Sequence, residues 1–117
     1  LFERFETSLD GNPDVLRLQH SHIATLSAFC YPVILKTPEL RAEYMRRFAA
    51  AGVEVRPIIA GNMQNQPMYL KYVSELYSLP GANVLHRNGF YAACYPELEA
   101  HEIEIIEGCL KAVVYDR

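Results

Sequence analysis

Two stretches of this 117-residue chain concentrate side chains able to hold a polar ligand. The first runs from Arg56-Pro57 to Gln66-Pro67 and contains Gly61-Asn62 and further amides. A guanidinium and carboxamides at a strand end offer directional hydrogen bonds suited to sugar hydroxyls or phosphates. The same loop also has an architectural reading, in which Gly61 and Asn62 make a turn, Pro57 ends a strand and the amides satisfy backbone groups. The second stretch is His86, Arg87, Asn88, Tyr91 and Tyr95, where Asn88-Gly89 bends the chain before a strand. Its architectural reading packs His86 on the sheet and sets the tyrosines at the core edge.

Other chemistries lack their residues. Asp14, His20, Ser21 and Ser27 lie close in sequence, but no GxSxG elbow accompanies them. Neither GxGxxG nor a Walker loop occurs. Lys36, Lys71 and Lys111 sit at a strand end or on helix exteriors, without the desolvation that a Schiff-base lysine needs. No catalytic residue is therefore expected within this chain. The nearest approach to tight metal-ligand spacing is His20-Ser-His22, which has no CxxC or HxxxH partner, so no metal site is expected. Cys30, Cys94 and Cys109 are odd in number and widely separated, which argues for reduced thiols in apolar segments.

A net charge of -3, from 11 basic and 14 acidic residues, provides no footprint for nucleic acid or an anionic membrane. No apolar run approaches the roughly 20 residues of a bilayer span, and Leu1 to Asp10 is unlike a signal peptide. The expectation is a cytoplasmic protein. Half the residues are apolar, enough for one core, so residues 1–117 read as a single domain. The start at Leu1 suggests a piece of a larger protein with its missing part upstream.

Periodicity predicts the elements that must position the polar stretches. Leu1, Phe2, Phe5 and Leu9 mark the end of an upstream helix over residues 1–13, stopped by Asp10-Gly-Asn-Pro13. Leu16 and Leu18 suggest a short edge strand, and Ala28 to Lys36 a buried strand in which Pro32 requires an edge or bulge. Thr37-Pro38 starts a helix with Leu40, Tyr44, Phe48 and Ala51 on its apolar stripe and Gly52 as left-handed cap. Val53 to Ile59 reads as a strand that turns Arg56 away from the Val53/Val55 face. A helix carrying Met68 to Tyr77 and ending near Leu79-Pro-Gly81 is expected, then a helical turn from Ala82 to Asn88, a strand from Phe90 to Tyr95, and a final helix carrying Ile103, Ile106, Leu110 and Val113. In that last helix, early acids and a terminal Lys111 and Arg117 suit the dipole. The sum is an α+β domain: about three strands in a small mixed or antiparallel sheet, covered by helices.

The pattern Phe29-Cys-Tyr-Pro-Val33, Leu40-Arg41, Gly52-Val-Glu-Val-Arg-Pro57, Ala60-Gly-Asn62, Gln66-Pro67, Ala82-Asn83, Asn88-Gly-Phe-Tyr91 and Tyr95-Pro96 resembles the C-terminal small domain of the DegT/DnrJ/StrS family of pyridoxal-phosphate enzymes. The resemblance runs from about Ala28 onward, and Leu1 to Ser27 match only loosely. It implies a fold of the aminotransferase small-domain type, a larger upstream domain in the same chain, and a homodimeric parent. It implies Arg56, Asn62, Gln66 and Asn88 as residues facing a nucleotide-linked sugar. Pyridoxal phosphate would belong to the parent, with its Schiff-base residue upstream, so this piece alone is expected to bind no cofactor and to be inactive. The implied activity is amino transfer to a nucleotide-linked ketosugar, in cell-surface polysaccharide or lipopolysaccharide biosynthesis. The alternatives are 3-dehydration of such a sugar, towards which Ala60-Gly-Asn62 leans, and a stand-alone binding or dimerisation module without chemistry of its own.

Overall fold

The computed structural model describes residues 1–113. The elements are helix α1 (Phe2–Ser8), strand β1 (Cys30–Ile34), helix α2 (Pro38–Ala50), strand β2 (Val55–Pro57), helix α3 (Pro67–Tyr72), helix α4 (Pro80–Asn88), strand β3 (Gly89–Ala93) and helix α5 (Ala100–Cys109), with a 3-10 turn at Met63–Asn65. The strands form an α+β arrangement around one sheet of order β1-β3-β2, antiparallel at both seams.

Alternation decides which face of this sheet is dry. Tyr31 and Val33 of β1 stand opposite Ala92 and Phe90 of β3, and all four are buried. Val55 of β2 pairs with Ala92 and packs against the same core. Phe48 from α2 meets Phe90 edge-on at 5.3 Å between ring centroids, Phe5 and Leu9 enter from the α1 segment, and Ile106 and Leu110 from the α5 segment. The other face carries the row Pro32, Tyr91 and Arg56. Pro32 is tolerated because β1 is an edge strand in the sheet order, where a missing ladder donor costs little.

Helix α2 follows from its ends. The Thr37 side chain accepts from the Leu40 amide, Pro38 occupies the first turn, and Gly52 leaves the helix at φ +75°. The helix is tied to its surroundings by a polar network: Tyr44 Oη donates to Asp14 Oδ2 at 2.9 Å and accepts from Asn12 Nδ2 at 2.9 Å. Asp14 Oδ2 also accepts from the Val113 amide, while Asn12 Nδ2 reaches the Leu110 carbonyl. Burial first, then the bond to Asp14, pushes the Tyr44 hydroxyl up to about 12, although Asn12 opposes the shift.

A second cluster holds the 16–29 segment to α1. Glu6 accepts from Tyr31 Oη, from Arg17 and from His20. Burial pushes the Glu6 carboxyl up, but these hydrogen bonds together outweigh it and leave its pKa below the ordinary value.

The expected strand around Leu16 and Leu18 shrinks to a single bridge, Val15 to Leu35, because Asp14 and Leu16 flanking it are held by individual backbone bonds to Lys36 and Ile34. The expected Met68 to Tyr77 helix begins at Pro67 and ends at Tyr72. Its apolar residues have no core to face: Met68, Leu70, Tyr72, Leu76 and Tyr77 are all exposed. Helix α4 starts at Pro80, ahead of the expected Ala82, since proline fits the first turn. Helix α5 ends at Cys109, so Lys111 lies beyond it and no basic residue stands in its last turn. Arg117 lies outside the described residues. An unanticipated capping box between Glu99 and Glu102 starts α5.

Candidate functional site

The chain leaves β2 at Pro57 and returns through the 3-10 turn into α3, and a cleft opens between this loop and α2 and α4. Its volume is about 580 Å³, and it is lined by Arg41, Arg56, Pro57, Ile58, Ile59, Ala60, Gly61, Gln66 and His86. The expected strand to Ile59 stops at Pro57. Ile58 and Ile59 instead form the apolar wall of the cleft, and Ile59 is 77 % exposed.

Gly61 makes the loop geometry possible. It has φ +68°, and a Cβ there would lie 2.1 Å from His86 Nδ1. The chain therefore passes directly over the imidazole. The next amide, Asn62 N–H, donates to His86 Nδ1 at 3.0 Å. A nitrogen that accepts this bond carries no proton, so the neutral ring is protonated at Nε2.

The four candidates expected from the sequence occupy different places. Arg56 and Gln66 line the cleft. Arg56 bonds Glu54 Oε1 through Nε at 2.9 Å and Nη2 at 2.7 Å. Gln66 Nε2 donates to the Ala60 carbonyl at 2.8 Å and closes the loop on itself. Asn62 is buried beneath the loop: its Oδ1 caps the Gln64 amide, and its Nδ2 donates to Asn83 Oδ1 at 2.8 Å. Asn88 Nδ2 donates to the Lys36 carbonyl, pinning the end of α4 beside the end of β1. Neither Asn62 nor Asn88 is part of the cleft lining.

Two further residues matter that the local sequence did not single out as cleft-lining. Gln64 is buried, with Nε2 on the Tyr77 carbonyl and Oε1 accepting the Tyr77 amide, so it ties the irregular segment after α3 to the loop. Arg41 reaches the cleft from the first half of α2, with its Nε on the Gly89 carbonyl at 2.7 Å. In the sequence it stands only as part of Leu40-Arg41, three residues before Tyr44 and seven before Phe48 and so along the same side of α2, and what it meets depends on how α2 and α4 pack.

A second cleft of about 570 Å³ near Leu1, Leu26 and Cys94 contains no arginine, lysine or histidine in its lining. Anion binding is therefore better served by the first. Among the described residues no group of three or more histidines, cysteines or acids is placed to hold a metal ion, and no helix is long and apolar enough to cross a membrane. Lys36, Lys71 and Lys111 are all exposed, so this chain offers no desolvated amine fitted to the aldehyde of pyridoxal phosphate. The three cysteines are free, and burial pushes each thiol above its ordinary value.

A family model for the DegT/DnrJ/EryC1/StrS aminotransferase family matches residues 1–111, including the N-terminal stretch whose sequence resemblance was loose. No curated protein sequence matches significantly. Among solved structures, the chain is similar to an E. coli GDP-4-keto-6-deoxy-D-mannose-3-dehydratase with bound hydrated PLP, at TM-score 0.75 and 25 % identity over 93 % of this chain and 28 % of that one. It is also similar to the sugar aminotransferase CalS13 from Micromonospora echinospora, at TM-score 0.77 and 14 % identity over 94 % of this chain and 28 % of that one. A putative sugar aminotransferase, Spr1654 from Streptococcus pneumoniae, gives TM-score 0.70 and 15 % identity over 93 % and 28 %. The chain thus spans little more than a quarter of the length of these structures.

Proposed function

We propose a role for a chain that belongs to the DegT/DnrJ/EryC1/StrS aminotransferase family: it is the C-terminal portion of a pyridoxal-phosphate enzyme, and its Arg56 to Gln66 loop lines the pocket for a nucleotide-linked ketosugar. The observation that carries this reading is the basic cleft with an apolar wall at the end of β2, in a chain with this family match. A diphosphate asks for fixed guanidinium and amide donors, whereas a deoxysugar presents an apolar edge as well as hydroxyls. Gln66 and, at the rim, the Glu54-paired Arg56 would line the pocket, while Asn62 and Asn88 would shape it from behind.

Of the two reactions considered, we place loss of the sugar 3-hydroxyl first. The specific support is the 25 % identity to the dehydratase, against 14 % and 15 % for the two aminotransferases. Amino transfer is the second reading. In either case bound pyridoxal phosphate supplies the electron sink, and the residues holding it belong to the rest of the protein. Cytoplasmic location, a homodimer and a place in polysaccharide or lipopolysaccharide assembly are part of the same proposal.

The exposed apolar side chains support a piece that is covered in the whole protein. Most of them fall between Ile59 and Leu85, a concentration that favours a docking face over a free-standing module. The deciding experiment incubates the full-length protein with pyridoxal phosphate, glutamate and a GDP-linked 4-ketosugar, and follows the product by mass spectrometry. Loss of the 3-hydroxyl supports dehydration, and a gained amino group supports transfer. An unchanged sugar, across GDP, UDP and dTDP forms, refutes the proposal.

A further inference from the structure

We propose that Arg41, and not Arg56, holds the oxyanion of the cleft's ligand, with the Nε2–H of His86 as a neutral second donor. The inference rests on the cleft being the nucleotide-sugar pocket, and it assigns the charge-binding residue within it.

The two arginines differ in what already occupies them. Both hydrogen bonds of the Arg56 side chain go to Glu54, and the pair stands exposed on an edge strand. Its charge is matched before any ligand arrives. Arg41 is half-buried, and among the described residues no carboxylate lies within salt-bridge distance of it. Its Nε donates to a carbonyl, that of Gly89, which fixes the guanidinium plane without neutralising it. The Nη groups remain, and a guanidinium with a free Nη pair is suited to phosphate or carboxylate oxygens.

The anchor is itself tightly placed. A Cβ on Gly89 would lie 2.8 Å from the Leu85 carbonyl oxygen and 2.9 Å from a side-chain carbon of Ile58, so this backbone has little room to shift. In the same cleft lining the His86 ring is fixed through Nδ1 by the Asn62 amide. Its Nε2 has no hydrogen-bond partner among the described residues. A cation and a neutral donor, each fixed through a different atom, therefore line one cleft.

The oxyanion is the diphosphate of the nucleotide sugar; the other source with the same chemistry is the carboxylate of an amino acid. The test labels arginines of the unaltered full-length protein with phenylglyoxal and locates the adducts by mass spectrometry, with GDP, inorganic pyrophosphate or L-glutamate as protecting probe. GDP and pyrophosphate should protect Arg41 and leave Arg56 labelled. Arg41→Gln should weaken GDP binding about 10- to 100-fold with the thermal midpoint recorded alongside, and Arg56→Gln should weaken it less than about 3-fold, as expected for an exposed matched charge. Protection of Arg41 by glutamate alone would support the oxyanion role while overturning its assignment to the diphosphate. GDP protecting Arg56 and not Arg41 would overturn the proposal and leave the nucleotide-sugar reading standing. Protection of neither residue by any probe would refute both.

Discussion

Gly61→Ala should destabilise the chain strongly, and most of the excess should disappear when His86 is absent. Two effects add at this position. An alanine held at φ +68° carries a left-handed penalty of about 1–2 kcal/mol, offset by up to about 1 kcal/mol through the stiffer unfolded chain. The new Cβ would also stand 2.1 Å from His86 Nδ1 and 3.0 Å from Cγ, so the ring must swing away. That breaks the Asn62 N–H to Nδ1 bond and leaves an amide unmatched at a buried residue, worth about 1–3 kcal/mol. The combined loss is about 1–5 kcal/mol. With His86→Ala already in place, the same glycine substitution should cost only about 1 kcal/mol, because the steric and hydrogen-bond parts are gone. Urea denaturation of the four proteins gives the coupling directly, as the difference between the two glycine effects. A coupling of at least about 1 kcal/mol is expected for groups in such contact. If the two substitutions add to within about 0.5 kcal/mol, the imidazole is not what the loop crosses, and the account of the cleft wall is wrong.

Tyr44→Phe should cost about 1–2 kcal/mol in the same assay, since Asp14 and Asn12 each lose one partner but keep another; a value near zero would mean that the Asn12–Asp14–Tyr44 network contributes nothing. Glu6 governs an acid limb. Its folded pKa lies below the ordinary value, so its stabilisation is fully present above the unfolded carboxyl value of about 4.3 and fades as pH falls through the folded one. Glu6→Gln should therefore lower stability near neutral pH and flatten its loss below about pH 4, and parallel acid curves for variant and wild type would refute the assignment.

Much of the scaffold was legible because its signals are local. Thr37-Pro38 and Gly52 bracket α2 through groups that act within one turn, and alternation of Val55 and Arg56 gives the inner and outer faces of β2 without knowledge of its partner. Local signals failed where a neighbour decides. The apolar spacing from Met68 to Tyr77 looks helical, yet no core lies beneath it, and Gln64 instead captures the Tyr77 backbone in a non-helical path. The cleft was half legible. Its loop is marked by Arg56, Gly61 and the amides, but whether an amide faces outward or caps its own turn depends on Asn83 and His86, which arrive from α4. Arg41 became visible as a cleft residue only through its contact with Gly89 across the α2–α4 packing.

The position of β3 between the other two strands dictates the order in which this chain is able to assemble. Cys30 of β1 must wait for Ala93, and Val55 of β2 for Ala92, before either finds a hydrogen-bonding neighbour. At a synthesis rate of about 5–20 residues per second, the nascent chain spends about 3–12 s with β1 made and its partner still missing. No tight hairpin is available as an early foothold, because β1 and β2 are not neighbours and β2 meets β3 only after α3 and α4 have been made. Sheet formation is thus reserved for the moment the penultimate helix has been followed by five more residues, and a ribosome that stalls before Gly89 releases two orphan edges and no sheet.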